Sequence, residues 1–412
     1  MSADFNAMLN EHLHYDLLKE ELDKKNYLWK AISHDDEVSG DIIVPFQAAK
    51  ASSIKRGAGP TAVADITKHK YTRGSVSFDN IPKVWGSMIF NWEDILNHDG
   101  RVKQKSFLGK FLPSQVEDFT DKFAEDLNHA TLNTASKDAV SGAAGTTGGT
   151  VVVNRIERYE VGEYLVFEDG ENGYVSGINI NTNTLSVVTT LGGSTPTDLS
   201  TVEAGDKIYK DGAQTSANQM TSLRDALLTA ANGGDASIYG ATKLSSPYTQ
   251  AVNISGSDIS ASNILEKLFD GLSTFRRKAK VGSTEIWMSL KHLGSVMKKL
   301  EQDKGAAKMV EGSMKVNQYG FTEIMVFGPK TGAVKIVGIQ EMDDDIILGI
   351  DPKSLKFHSV KGIQKVKTPD GNLYTVNRSS TTGFDFVTDL YYRGDLIVSR
   401  PHRNCIWHSI TY

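Results

Sequence analysis

Hydrophobic residues first recur at helical spacing and then, over residues 41–80, form two strand-like stretches. The helical spacing lies in an acidic N-terminal segment and comprises Phe5, Met8, Leu9, Leu13, Leu17, Leu18 and Leu22. The strand-like stretches are IIVPFQAAK and HKYTRGSVSFDN, and the polar, glycine-containing stretch between them carries Lys55 and Arg56. This pattern predicts a long two-stranded arm with a basic tip. Two strands alone are marginal in water, so the arm is expected to lie on a neighbouring subunit.

The clearest helical pattern follows Pro113. Apolar residues step by three and four positions, and acidic and basic residues occupy the other side of the helix. The apolar positions are Val116, Phe119, Phe123, Leu127 and Ala130. The spacing predicts a helix with one apolar face over residues 113–133, which packs along its length on a sheet or on another helix.

The pattern changes again after residue 140. Residues 141–150 are rich in Gly, Ser and Thr and are expected to form a linker. Short apolar stretches separated by EDGENG, NTNT and EAGD turns then predict a small all-β insertion over residues 151–212, folded as a barrel or a sandwich.

The remaining residues alternate between helical and strand patterns without regular βαβ order. Asn263 with Glu266, and Ser289, are predicted to cap two helices, with the strand STEIWMS between them. Strand patterns dominate from FTEIMVFG to the C-terminus. The predicted fold class is therefore α+β.

Composition is that of a folded globular protein, with 412 residues, 39% of them hydrophobic, and a formal net charge of −5. No apolar run reaches the roughly 18 residues of a membrane span, and the N-terminus has no signal-peptide pattern. One cysteine, Cys405, excludes internal disulfides and cysteine-based metal cages, and fits a reducing cytoplasm. The mild acidity argues against a dedicated nucleic-acid binder.

Charge is distributed in blocks of opposite sign. Residues 1–40 hold 4 Lys/Arg and 9 Asp/Glu, residues 41–110 hold 11 and 6, and residues 151–212 hold 4 and 10. Such blocks are often only solvated faces. They also suit a self-assembling protein whose copies attract one another at complementary patches.

No catalytic, cofactor-binding or metal-ligating residue is predicted. Ser52-x-x-Lys55, Ser216-x-Asn218 and Lys330-Thr331-Gly332 follow the order of the penicillin-binding serine-enzyme signature. That chemistry needs the serine at the start of a helix, with the lysine one turn later to accept its proton. Ser52 instead follows a strand pattern on the polar arm tip, so the match is interpreted as chance.

The order of these segments resembles the major capsid protein of tailed bacteriophages with the Hong Kong 97-type fold. The arm IIVPFQAAKASSIKRGAGPTAVADITKHKYTRGSVSF resembles the family's extended loop, and FLPSQVEDFTDKFAEDLNHATLN its spine helix. SNILEKLFDGLSTFRRKAKVGSTEIWMSLKHLGSVMKKLEQD resembles the axial domain. GFDFVTDLYYRGDLIVSRPHRNCIWHSI resembles the closing strands of the peripheral domain.

The resemblance implies a domain order. It comprises an N-terminal arm (1–40), an extended loop (41–80), a peripheral domain with spine helix 113–133 (81–140), the linker (141–150), the β insertion (151–212), a mainly axial domain (213–350) and returning peripheral strands (351–412).

The resemblance also implies a function and partners. The chain is expected to be a non-enzymatic subunit that forms hexamers and pentamers of an icosahedral shell around double-stranded DNA. Expected partners are other copies, a separate scaffolding protein, a portal and decoration or cement proteins, with the DNA only loosely enclosed and no membrane. Assembly is expected in the bacterial cytoplasm, and the mature location is the virion. A separate prediction concerns the arm itself. Intersubunit contacts are expected at Lys55, Arg56, Lys68 and Arg73, and Lys55 and Arg56 at the arm tip are expected to contact acidic groups on an adjacent subunit.

Two other functions fit parts of the sequence. A phage tail or surface adhesin subunit is suggested by the β insertion and by the turns rich in Thr, Ser and Gly. A tube subunit should lack the long helix, however, and an adhesin should carry β repeats throughout. A serine acyl-enzyme would require Ser52 to react with a β-lactam.

Overall fold

The computed structural model describes a little under three-quarters of the chain. The described residues are 27–35, 38, 42–49, 70–76, 82–91, 108–142, 145–215, 219–243, 248–279, 285–302, 315–316, 322–328, 332–369, 371–372, 374–379 and 383–412. The chain divides into two compact units. The main unit comprises Met1–Asn128 and Leu223–Tyr412, and the barrel unit comprises His129–Ser222. No helix among the described residues is long and apolar enough to cross a membrane.

The helices and strands are numbered along the chain. The α-helices of the described residues are α1 Tyr27–Ala31, α2 Leu108–Leu132, α3 Leu223–Leu227, α4 Ile264–Ala279 and α5 Leu290–Gln302. The strands are β1 Ser33–Asp35, β2 Ile42–Ala49, β3 Lys70–Val76, β4 Lys83–Asn91, β5 Asp138–Ala139, β6 Thr150–Val152, β7 Tyr164–Phe167, β8 Asn172–Asn179, β9 Thr184–Val188, β10 Lys207–Lys210, β11 Ser237–Ile238, β12 Ala241–Thr242, β13 Val252–Ser255, β14 Glu285–Ser289, β15 Lys315–Val316, β16 Thr322–Gly328, β17 Gly332–Ile339, β18 Ile347–Ile350, β19 Leu355–Lys365, β20 Thr375–Ser379, β21 Gly383–Val398 and β22 Cys405–His408.

A seven-stranded sheet with the order β13-β22-β18-β14-β17-β16-β15 forms the centre of the main unit. Its inner strands read as continuous apolar runs because both of their faces are covered, and every residue of β18 is buried. Helices α4 and α5 pack against it and share one hydrophobic core with its strands. Ser289 accepts a hydrogen bond from the backbone N–H of His292, as predicted for a helix cap. Asn263 instead accepts from the N–H of Ser260, so its side chain binds the turn before α4.

A second, five-stranded sheet of the main unit is built around the long strand β21. Strands β19 and β20 pair with successive parts of one edge of β21, β4 pairs with the other edge, and β1 pairs in parallel with β19. One face of β4 lies on α2. A Cβ atom at Gly86 would lie only 2.4 Å from Cζ of Phe119, so only glycine allows this close approach.

Helix α2 begins at Leu108, five residues before the predicted start at Pro113. Proline lacks a backbone N–H and cannot donate to the carbonyl one turn earlier, which makes it a strong predictor of a helix start. Here the helix continues through it. One backbone hydrogen bond, from position 113 to the carbonyl of Gly109, is thereby lost in the second turn of the helix.

The barrel unit is a closed six-stranded antiparallel sheet. Its strand order is β5-β10-β7-β8-β9-β6, and a bridge between Val140 and Val153 joins the last strand to the first. Closure leaves no free edge in this sheet among the described strands, so of the two predicted forms, a barrel and a sandwich, the unit is a barrel. Thirteen buried apolar side chains fill the interior, including Leu165, Phe167 and Val187.

Residues 145–150, which their composition predicted to be part of a linker, are hydrogen-bonded into the barrel. The N–H of Gly145 donates to the Val202 carbonyl at 2.9 Å, and the N–H of Val187 donates to the Gly149 carbonyl at 2.7 Å. Gly149 has φ +72°, a conformation that glycine adopts at little cost. Gly149 therefore allows a tight turn at this position.

Helices and strands are mixed along the chain without regular alternation, so the α+β class predicted from the sequence is confirmed.

One lysine of the main unit is buried. Nζ of Lys243 donates to the carbonyl of Leu228 at 2.8 Å and also to the carbonyl of Asp225, while its side chain is almost wholly enclosed. These carbonyls lie at the C-terminal end of α3, where helix carbonyls lack partners and a cation is favoured. Burial lowers the pKa of the Lys243 ammonium from 10.5 to about 8.

This burial predicts how stability depends on pH. Between about pH 8 and pH 10 the unfolded chain keeps the Lys243 proton and the folded chain loses it, so the free energy of unfolding should increase with pH in that interval. Urea unfolding at several pH values, compared with Lys243→Met, measures the effect. The free energy of unfolding of the native protein, minus that of Lys243→Met, should increase as the pH rises from about 8 to about 10. A difference that stays constant with pH would contradict the prediction.

Candidate assembly surfaces

The arm is a two-stranded hairpin. Strand β2 pairs antiparallel with β3, from Ile42 opposite Val76 to Ala49 opposite Lys70, with a bulge near Gln47. No third strand joins this pair among the residues that the structure describes. Val44 is buried, whereas the side chain of Ile43 is 59% exposed. The hairpin therefore carries apolar surface in a pair of strands too small to be stable alone.

The open face of the five-stranded sheet is a second exposed apolar surface. Side chains of β4 alternate, so that Met88 lies on the covered side and Trp85 and Ile89 lie on the other, 58% and 66% exposed. The Trp85 ring lies 4.4 Å from that of Tyr391 on β21, centroid to centroid. Large exposed apolar side chains that are neighbours in one sheet are typical of a surface that another protein covers.

One end of the barrel unit is acidic. Because neighbouring strands are antiparallel, the β5–β6, β7–β8 and β9–β10 connections share one end, and the chain enters and leaves at the other. The shared end carries the exposed carboxylates of Glu168, Asp169 and Glu203 and the partly exposed carboxylate of Asp206. Local desolvation and then the charge of Asp206 raise the pKa of Asp169. Such a cluster repels polyanions, including the DNA backbone.

Of the four predicted contact residues, only Arg73 falls within the described backbone, in β3 opposite Pro45. Lys55, Arg56 and Lys68 lie outside the described residues. Their roles remain predictions.

The residues of the serine-enzyme pattern also lie outside the described ranges, apart from Gly332 at the start of β17.

Within the described ranges there is no group of three or more His, Cys, Asp or Glu side chains that could hold a metal ion. Cys405 is fully buried, and burial raises the pKa of its thiol far above the ordinary value.

Two features of these surfaces and of the main unit were not predicted from the sequence. The alternation of Lys83, Trp85, Ser87 and Ile89 with Val84, Gly86 and Met88 indicates a strand with two different faces, but it does not show which face another element covers. The docking of residues 27–35 against both sheets has no local signal, because its contacts are with residues more than 250 positions later in the chain.

No family model and no curated protein matches the chain. Solved structures of two capsids and of a virus-like particle are similar to it over nearly its whole length. These include the cyanophage A-1(L) capsid asymmetric unit, with 10% identity, 93% of this chain and 91% of that chain covered, and a TM-score of 0.49. The capsid of a native GTA particle has 9% identity, coverage of 93% and 90%, and a TM-score of 0.45. A virus-like particle from Pyrococcus furiosus has 9% identity, coverage of 95% and 96%, and a TM-score of 0.41.

Proposed function

We propose that the chain is a structural, non-catalytic subunit of a tailed-phage capsid with the Hong Kong 97-type fold. Copies assemble into hexamers and pentamers of an icosahedral shell that encloses double-stranded DNA. The observation that carries the proposal is the β2–β3 hairpin, which pairs with no further strand among the described residues. A hairpin of this kind is stabilised when it lies on another surface, and a second copy supplies one at every interface of a shell.

The open sheet face supports the same proposal. Trp85 and Ile89 are more than half exposed on a sheet whose other face is covered by α2. Aromatic side chains of this kind supply much of the binding energy when a protein interface buries them. Hairpin and open face together give each copy two surfaces that association would bury.

The domain assignment forms part of the proposal. Residues 1–40 serve as the N-terminal arm, 41–80 as the extended loop, 81–140 and 351–412 as the peripheral domain, 213–350 mainly as the axial domain, and 151–212 as an inserted β domain. The subunit assembles in the bacterial cytoplasm with a separate scaffolding protein and a portal, and resides in the virion. Decoration proteins bind the finished shell, and the DNA is enclosed without specific contacts.

Electron microscopy of the purified chain tests the assembly. The chain is expressed alone and with the scaffolding protein, then examined by negative stain and sedimentation. Closed shells, or rings of five and six subunits, are the expected products. Long tubes with a uniform narrow lumen would contradict the proposal and favour a tail subunit. A strictly monomeric chain under both conditions would also count against it.

A charge reversal at the arm tip tests the predicted contact residues. The double variant Lys55→Glu, Arg56→Glu should leave the monomer folded and reduce the yield of particles strongly, because two attractive contacts to acidic groups of the neighbour become repulsive. The control is Arg277→Glu, Lys278→Glu, which reverses an exposed Arg–Lys pair at the end of α4 with the same change in charge. If the arm variant assembles as well as the control, these residues are not contacts.

A further inference from the structure

Residues 27–35 lie across the junction between the two large sheets of the main unit. Tyr27 contacts the seven-stranded sheet, and β1 is itself a strand of the five-stranded sheet. Leu28 and Ile32, between these ends, are almost completely buried. The segment therefore has a firm attachment on each side of the junction.

On the seven-stranded sheet, Tyr27 is held by a polar and aromatic cluster. Its hydroxyl donates to Oε2 of Glu285 at 2.7 Å and accepts from Nζ of Lys335 at 2.7 Å. Trp287 donates to the same Glu285 oxygen at 2.8 Å, and its ring meets that of Tyr27 edge-on at 6.0 Å. The lysine also lies over the Tyr27 ring, 4.7 Å from its centre. Charge-assisted hydrogen bonds of this kind fix both position and orientation.

On the five-stranded sheet, the attachment is aromatic packing followed by strand pairing. The Trp29 ring lies 5.1 Å from Phe357 of β19 and 5.5 Å from Tyr392 of β21, centroid to centroid. Asp35 then accepts a hydrogen bond from Lys356 at 2.8 Å, which lowers the pKa of Asp35. The three aromatic rings bury a large apolar area against one another, and this burial stabilises the attachment of residues 27–35 to the five-stranded sheet.

The junction that this segment crosses contains two adjacent passages of the chain. Residues 351–354 lead from β18 to β19, and residues 399–404 lead from β21 to β22. They are joined by hydrogen bonds, since Asn404 accepts from the N–H of Asp351 at 2.9 Å and the N–H of Ser399 donates to the carbonyl of Ser354 at 2.9 Å. Two passages at one place form a natural axis about which two sheets can rotate.

We propose that residues 27–35 form a splint, by which we mean a segment fixed to both sheets that prevents their rotation about this axis. With Tyr27 and Trp29 both docked, the two sheets are held at one angle, and release of either end allows them to rotate about the 351–354 and 399–404 passages. The attachments are placed for this role, because Glu285 pairs with Ile350 and Ser33 pairs with Lys356, immediately on either side of the passages. The inference concerns the shape of the subunit and does not depend on its assembly.

Distance measurements between two spin labels test the splint. Ser257→Cys and Thr375→Cys place labels at exposed positions, one on each side of the junction, and the native Cys405 is too deeply buried to be labelled. Labelled chains are diluted with unlabelled chains so that only distances within one chain are measured. The splinted protein should give one narrow distance distribution. Trp29→Ala should broaden it by about twofold or more, because the sheets then sample several angles.

A conservative variant and a matched control complete the test. Tyr27→Phe keeps the ring but removes the hydroxyl that joins Glu285 and Lys335, and it should also broaden the distribution. Trp85→Ala removes an exposed tryptophan of the same sheet outside the splint, and it should leave the distribution unchanged. If Trp29→Ala does not fold, Tyr27→Phe decides the matter. A distribution in Tyr27→Phe or folded Trp29→Ala as narrow as that of the control would overturn the proposal.

Discussion

Replacing Phe167 with alanine is expected to destabilise the barrel unit by about 3–5 kcal/mol and to leave the main unit folded. Phe167 is 1% exposed and belongs to the hydrophobic core that fills the barrel. Removing its ring loses the transfer free energy of the buried atoms and leaves a cavity that a closed barrel cannot easily fill by collapse. The main unit has its own core, made of residues outside 129–222.

Tryptophan fluorescence separates the two units in this experiment. All five tryptophans of the chain lie outside residues 129–222, so their emission reports the main unit alone, while hydrogen exchange reports both units. In Phe167→Ala, amides of β7 to β9 should lose protection while the fluorescence transition in urea stays at the same midpoint. Val161→Ala, at a barrel position that is 67% exposed, is the control and should change neither. A parallel shift of both signals would show that the units unfold together.

A single methyl group at Gly271 is expected to destabilise the main unit by about 1–3 kcal/mol. Gly271 lies within α4, where alanine normally stabilises a helix relative to glycine by about 1 kcal/mol. Here a Cβ atom would lie 2.4 Å from Nε1 and 2.7 Å from Cζ2 of Trp407, a side chain that is itself fully enclosed. Because Trp407 is a large side chain enclosed in the core, accommodating the methyl group requires the ring and its neighbours to shift, and this overpacking is expected to outweigh the gain in helix propensity.

Gly294 provides the matched control in the next helix. A Cβ atom there would have no neighbour within 4 Å, so Gly294→Ala should stabilise α5 by up to about 1 kcal/mol. Urea unfolding followed by tryptophan fluorescence measures both variants. The urea concentration at the midpoint should decrease in Gly271→Ala and increase in Gly294→Ala. A stabilising effect of Gly271→Ala would mean that Trp407 does not pack against this position.

Much of the candidate assembly surface follows from local patterns. The two strands of the arm were predicted from the alternation and composition of residues 41–80, and β2 and β3 pair as that pattern indicates. The exposure of Trp85 and Ile89 was not predicted, because a strand pattern shows that two faces differ without showing which face another element covers. That assignment depends on α2, which lies on the side of Gly86 and Met88.

The sequence by itself determined the elements whose signal is local: the helix around Phe119 and Phe123, the strands and turns of the barrel, and the α+β class. Hydrophobic periodicity and turn residues act over a few positions, so they can be recognised without any partner. Only the tertiary structure decided the features that depend on distant contacts. Lys243 is buried because carbonyls at the end of α3 accept its hydrogen bonds, and residues 145–150 are ordered by the barrel around them. Likewise, residues 27–35 join two sheets through partners such as Lys356, which lie hundreds of positions away along the chain.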